Sequence, residues 1–301
     1  MTLIPLFTTK ATVIEACGSL ALQCAKFCQN RRINADRHRN EESVKIKKII
    51  KGGLRTVGFD LVRYPALARQ IQNLILDRGI NLVLDVGAFH GTFCRMMRKD
   101  VRYSGHICSF EPCAASFSEL SNAMKNDRRW SGYRIALSDK DAEATLNVYR
   151  EGDFNSLLPL RNEHALAYEI ENEPALERIQ LRKLDSIWNE ITKSVVTPKV
   201  LLKIDTQGHD PKVVLGAVEH LKFVSVILAE LPAIEIYEHM LSMADSLKLF
   251  KSLGYTPVGF YPVNSPPSYE GAVPEFEVLF IRHRLIENAT LTAKVGAAAA
   301  C

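Results

Sequence analysis

Long apolar runs are missing from the 301-residue chain: the longest unbroken one is five residues, 297–301, where a helical membrane span needs about 20. A bundle of transmembrane helices is excluded. Cys-x-x-Cys pairs are missing too, and the cysteines number seven. An odd count without paired spacings excludes a secreted disulfide framework and argues against a zinc module. Glycine (16) and proline (13) are too few for a collagen-like or low-complexity chain. No internal repeat occurs.

What is present fits a globular protein, with 47% apolar and 24% charged residues. The net charge of +4 hides an asymmetry. Residues 26–55 carry ten Lys/Arg against Asp36, Glu41 and Glu42, so the rest of the chain is slightly acidic. The pattern predicts an amphipathic N-terminal helical extension over 1–28 and a basic linker over 29–52. A main domain over 53–284 and a frayed tail over 285–301 follow. The start is a poor secretory signal, lacking a basic patch and interrupted by Glu15. Cys17, Cys24 and Cys28 share one helix face and read as buried thiols in a reducing compartment. The expected location is therefore cytoplasmic, with peripheral membrane contact through the basic linker as an alternative to a merely solvated one.

Within the main domain, short apolar runs alternate with helical patterns. Strands are predicted at 81–86, 105–110, 133–137, 200–204, 224–229, 256–261 and 276–281. Helices are predicted at 92–99, 114–125, 211–220 and 244–253. That alternation specifies an α/β fold with a mainly parallel sheet covered on both faces, whose ligands bind beyond the carboxyl ends of the strands.

The first strand ends in Asp85-Val-Gly87-Ala-Phe89-His90-Gly91-Thr92. Gly87 permits a tight turn, and Gly91-Thr92 opens a helix with free N–H groups. Twenty residues after Gly91, Glu111 closes the second strand, where a carboxylate can accept from ribose hydroxyls. The glycine spacing is not the Gly-x-Gly-x-x-Gly of a dinucleotide site. An anionic Asp85 beside the turn would repel a pyrophosphate but attract an ammonium or sulfonium. S-adenosylmethionine has both cations and no phosphate.

Several blocks in order resemble the FkbM-type methyltransferases, a branch of the class I S-adenosylmethionine-dependent fold. They are Val83-Leu-Asp-Val-Gly-Ala88 with Gly91, Ser109-Phe-Glu-Pro112, Ala136-Leu-Ser-Asp139, Ser156-Leu-Leu158, Leu184-Asp185-Ser186, Leu202-Lys-Ile-Asp-Thr-Gln-Gly208 and Phe276-Glu-Val-Leu-Phe-Ile-Arg282. The resemblance spans about residues 53–284. It implies a Rossmann-like seven-stranded sheet with the last strand antiparallel, and O-methylation of a sugar, glycan or natural-product hydroxyl. By position it implies that Asp85, Gly87 and Gly91 border the methionine part of the cofactor, Glu111 holds the ribose, and Leu137 and Asp139 flank the adenine. Phe89 stands where the family usually has Asn, and His209 where it has an aromatic.

Asp139 can equally be a turn-forming residue, and Asp185 reads best as a helix N-cap. His209 and Asp205, in the loop closing the fourth strand, are the candidate catalytic bases, His209 because an ordinary imidazole titrates near neutrality. A divalent metal on Asp205 and Glu230 is open but not favoured. Glu235, Glu238 and His239 are expected on a helix, lining an acceptor pocket or simply solvated. The loop 262–274 with Tyr269 is a candidate cover. The expected partner is a sugar or glycan acceptor. Nucleic acid is not favoured, because residues 26–55 hold no aromatic for base stacking beyond Phe27. A cofactor-binding but non-catalytic membrane-surface module is the alternative from another class.

Overall fold

The computed structural model describes residues 66–150, 152–170, 173–263 and 271–282. The extension 1–28 with its cysteines, the basic linker 29–52, the tail 285–301 and Tyr269 lie outside the described residues. Every described residue belongs to one compact unit, Tyr64–Cys301. Among the described residues no helix is long and apolar enough to cross a membrane.

After α1 (Ala66–Arg78), strand β1 (Leu82–Val86) leads into α2 (Thr92–Lys99), β2 (His106–Phe110), α3 (Ala114–Met124) and β3 (Trp130–Tyr133). Three short strands come next, β4 (Ala136–Leu137), β5 (Ala142–Val148) and β6 (Ala175–Arg182), with α4 (Asn162–Ala167) between the last two. The chain re-enters the main sheet through α5 (Leu184–Thr192), β7 (Val200–Ile204), α6 (Asp210–Leu215) and β8 (Val224–Pro232). It closes with α7 (Met243–Ser252), β9 (Tyr255–Pro262) and β10 (Glu275–Arg282).

The main sheet has seven strands in the order β3-β2-β1-β7-β8-β10-β9. Strands β3 to β8 are parallel and β10 runs antiparallel to both its neighbours. This is the class I methyltransferase arrangement expected from the sequence. Two details differ. The predicted strand 133–137 is divided: Trp130–Tyr133 forms the sheet edge, whereas Ala136–Leu137 pairs with β6 in a separate three-stranded sheet, β4-β6-β5. Residues 233–242 form no helix. Ile236 and Tyr237 are buried there and Tyr237 bridges to Leu160, so the apolar contacts hold an irregular segment.

Central strands β1 and β7 are buried at every position, as strands covered on both faces must be. Alternation still sorts their side chains. Leu82, Leu84, Val86, Leu202 and Ile204 join the core beneath α5, α6 and α7, while Val83 and Leu201 pack with α1, α2 and α3 on the other face. Asp85, Ser109 and Lys203 are in register across β2, β1 and β7. They form a buried polar row within the second core.

Candidate active site

The ends of β1, β2, β7 and β8 open on a cavity of about 370 Å³, within the range of small-molecule sites. It forms because the chain turns sharply after β1. Gly87 has φ +71°, and a Cβ there would lie 1.7 Å from the Asp205 carbonyl oxygen. Only glycine lets the two strand-end loops approach so closely. Gly91 has φ +78° and packs against Leu120, which leaves no room for a side chain; it starts α2 but does not line the cavity.

Glu111, at the tip of β2, faces the cavity and is nearly buried. Its two carboxylate oxygens accept from the Phe89 and Cys113 amides, each at 2.9 Å. Burial lifts its pKa to about 7 against the pull of those amides. The anchored carboxylate keeps further lone pairs for a diol. Beside it, Phe110, Leu137 and Leu146 supply an apolar wall for a flat ring. Phe89, held at φ +46°, also lines the cavity and stacks on His90.

Asp85 is placed differently from the expectation. It is completely buried, points into the second core and does not line the cavity. One of its oxygens accepts from Cys94 and Ser109, at 3.3 Å each, and the other lies 3.5 Å from Lys203. Burial raises its pKa despite that cation. Strand alternation sends it sideways, so its charge meets Lys203 and not a ligand. Lys203 donates to the Gly87 carbonyl at 2.8 Å and to Asp205 at 3.1 Å. Burial works against its charge, but Asp205 and Asp85 outweigh it and raise its pKa. It thus ties the turn after β1 to the end of β7. Sequence reasoning missed it, although a lysine inside an apolar strand was a visible signal.

The carboxylates converge at the far end. Gln207, at φ +51°, donates through its amide to Asp205 and to Glu230, both at 3.0 Å. Its amide oxygen accepts from Tyr237, and its backbone oxygen from Ser156. Glu230 titrates well above the usual range, first from burial and then from the charges of Asp205, Glu275 and Asp210. Glu275, at the start of β10, lines the same end and is pushed up to about 8 by burial and by Asp205 and Asp210.

His209 lines the cavity, but its Nε2 is engaged with the Ser138 hydroxyl at 2.9 Å and burial lowers its pKa to about 4. The expectation of a base titrating near neutrality is corrected: burial outweighs the neighbouring Asp139 charge. Asp139 itself lies outside the cavity lining, paired with Lys212 at 2.9 Å. Asp185 is not the cap of α5, which is Lys183; it lies in the first turn and accepts from the Glu219 amide and faces His220. Glu235, Glu238 and His239 do not line the cavity either. Among the described residues, the one group of ligand atoms gathered within 4.8 Å of one another is Asp185, Glu219 and His220, outside the cavity lining. Asp205 and Glu230 are not part of it.

The profile of the methyltransferase FkbM domain matches residues 85–257, more than half of the chain. No curated protein matches significantly. Solved structures of similar fold include the Aeropyrum pernix fibrillarin with natively bound S-adenosyl-L-methionine, 12% identical over 71% of this chain and 73% of that one, at a TM-score of 0.40. Another is the Synechocystis magnesium protoporphyrin IX methyltransferase with bound S-adenosylmethionine, 8% identical over 84% and 100%, at 0.38. A third is an rRNA methylase from Streptococcus thermophilus, 8% identical over 74% and 99%, at 0.38. The expectation that nucleic acid is a disfavoured partner is corrected by the presence of an rRNA methylase among these structures. The anchored Glu111 carboxylate and the apolar wall beside it fit the nucleoside of S-adenosylmethionine. The chain belongs to the FkbM methyltransferase family and is an S-adenosylmethionine-dependent methyltransferase.

Proposed function

We propose that the acceptor atom is a hydroxyl oxygen, of a sugar, a glycan or a glycosylated natural product. The observation that supports this reading is the Asp205–Gln207–Glu230 array at the acid end of the cavity. A hydroxyl is a poor nucleophile until its proton is removed, and a carboxylate with a raised pKa is a stronger base than the His209 imidazole, lowered to about 4. When bound, S-adenosylmethionine supplies an electrophilic methyl group. Glu230, in its ionised form, would take the hydroxyl proton as the acceptor oxygen receives that methyl group.

Glu111 would hold the ribose, and Leu137 and Phe110 would enclose the adenine. Gly87, kept in place by Lys203 and Asp205, would let the backbone approach the methionine part. Gln207 fixes the separation of the two acids, and Tyr237 orients Gln207. Alignment of the nucleophile with the methyl group supplies much of the acceleration.

The test is methyl transfer from labelled S-adenosylmethionine to a panel of oligosaccharides, glycosylated small molecules and RNA, with the methylated atom located by mass spectrometry and NMR. Oxygen methylation that falls roughly 10²–10⁴-fold in kcat for Glu230→Gln is expected. Methylation confined to nitrogen or carbon defeats the reading.

A further inference from the structure

The acid end of the cavity holds more carboxyl groups than removal of one hydroxyl proton requires. Five carboxylates line the cavity: Glu111, Asp153, Asp205, Glu230 and Glu275. No Lys or Arg is among the described residues lining it. Lys203 lies beneath, already engaged by the Gly87 carbonyl, Asp205 and Asp85.

The partners of these acids are uneven. Asp205 has Lys203 and Gln207. Glu230 has the Gln207 amide on one oxygen. Glu275 is 8% exposed, and its carboxylate makes no hydrogen bond or ion pair with any described residue. A buried carboxylate without a partner is costly, and keeping its proton relieves that cost; Glu275 does so up to about pH 8. A ligand that brings positively charged N–H donors would relieve it better, because charge-assisted hydrogen bonds are stronger than neutral ones.

We infer that the group entering this end of the cavity carries a protonated amine beside the hydroxyl to be methylated, as an amino sugar does, and that Glu275 with Glu230 holds that ammonium. The inference rests on the hydroxyl-acceptor reading above. Two other occupants are distinguishable from it. A divalent cation needs oxygens gathered at its short coordination distances, and these acids are not among the atoms that lie within 4.8 Å of one another. An ammonium tolerates wider spacing because each N–H seeks its own acceptor. A neutral polyol, accepting from protonated Glu275, would be indifferent to a charge on its neighbouring substituent.

The experiment is calorimetric titration of the full chain, loaded with S-adenosylhomocysteine, with glucosamine oligomers and with N-acetylglucosamine oligomers of equal length. The free-amine oligomer is expected to bind at least about tenfold tighter, the scale of one charge-assisted hydrogen bond. Glu275→Gln should erase that preference. Titrations of the unaltered chain at pH ~6, where the amine is already protonated, in buffers of different ionisation enthalpy should show proton release on binding the amine, a readout that stands even where the variant folds poorly. Equal affinity, absence of binding by the amine oligomer, a preference that survives in Glu275→Gln, or binding without proton release overturns the inference. Hydroxyl methylation found in the acceptor panel together with amine-indifferent binding defeats this inference alone, whereas transfer confined to nitrogen or carbon defeats the reading beneath it.

Discussion

Replacing Lys203 by Met removes the cation that, among the described residues, compensates the fully buried Asp85 carboxylate. Lys203 is 6% exposed, donates to the Gly87 carbonyl at 2.8 Å and to Asp205 at 3.1 Å, and lies 3.5 Å from Asp85. The Asp85 oxygen facing it accepts no hydrogen bond, so the variant leaves an uncompensated charge in the second core. Breaking a buried pair from one side costs about 3–5 kcal/mol. In a domain of this size each kcal/mol moves Tm by about 2–4 °C, so the expected fall is roughly 6–20 °C. Asp85 has a folded pKa above its unfolded one, because burial disfavours its charge. The folded state therefore binds the proton more tightly, and stability falls as pH rises from the unfolded value towards the folded one. Loss of Lys203 raises the folded value further, so the deficit should be full at pH ~8 and smaller at pH ~5. Adding Asp85→Asn to Lys203→Met removes the stranded charge at nearly constant volume and should recover most of the loss. Thermal unfolding followed by circular dichroism at both pH values measures all of this. A fall under about 2 °C, or a double variant no more stable than the single one, refutes the reasoning.

Cofactor affinity should rise between pH ~6 and ~8, because Glu111, with a folded pKa of about 7, accepts from ribose hydroxyls best when ionised; the slope is at most tenfold per pH unit. Glu111→Gln should weaken S-adenosylmethionine binding by about tenfold or more and flatten that slope, as titration calorimetry would show. His209→Gln, which can keep the bond to Ser138, should change kcat by less than about tenfold, since general-base catalysis is worth more than that; a fall beyond a hundredfold in steady-state assays would return His209 to the role of base.

Part of the site was legible in the chain before folding, and the reason is local. The sharp turn at Gly87, the acidic tip at Glu111 and the loop from Asp205 to Gly208 are each set by a strand end and the few residues after it. The same holds for the parallel sheet, because its alternating apolar runs and helical patterns have one stable way to cover both faces. The boundary of β3 was less legible: residues 130–137 serve two sheets, and propensity within one short window cannot divide them.

Tertiary structure decided what side-chain direction and burial decide. Asp85 looks like a ligand for a cation when read beside Gly87, but a period of two turns it to the face where Ser109 and Lys203 lie in register. His209 looks like a base at its ordinary pKa, until burial against Ser138 lowers it. Glu275 is 70 residues of chain away from Asp205, counted along the sequence, and meets it only because β10 runs antiparallel beside β8 and begins where β8 ends. The sequence by itself determined the fold and the strand-end turns at Gly87 and Glu111, which short-range chemistry encodes. The acid end, assembled from β7, β8 and β10, exists only once distant strands are paired.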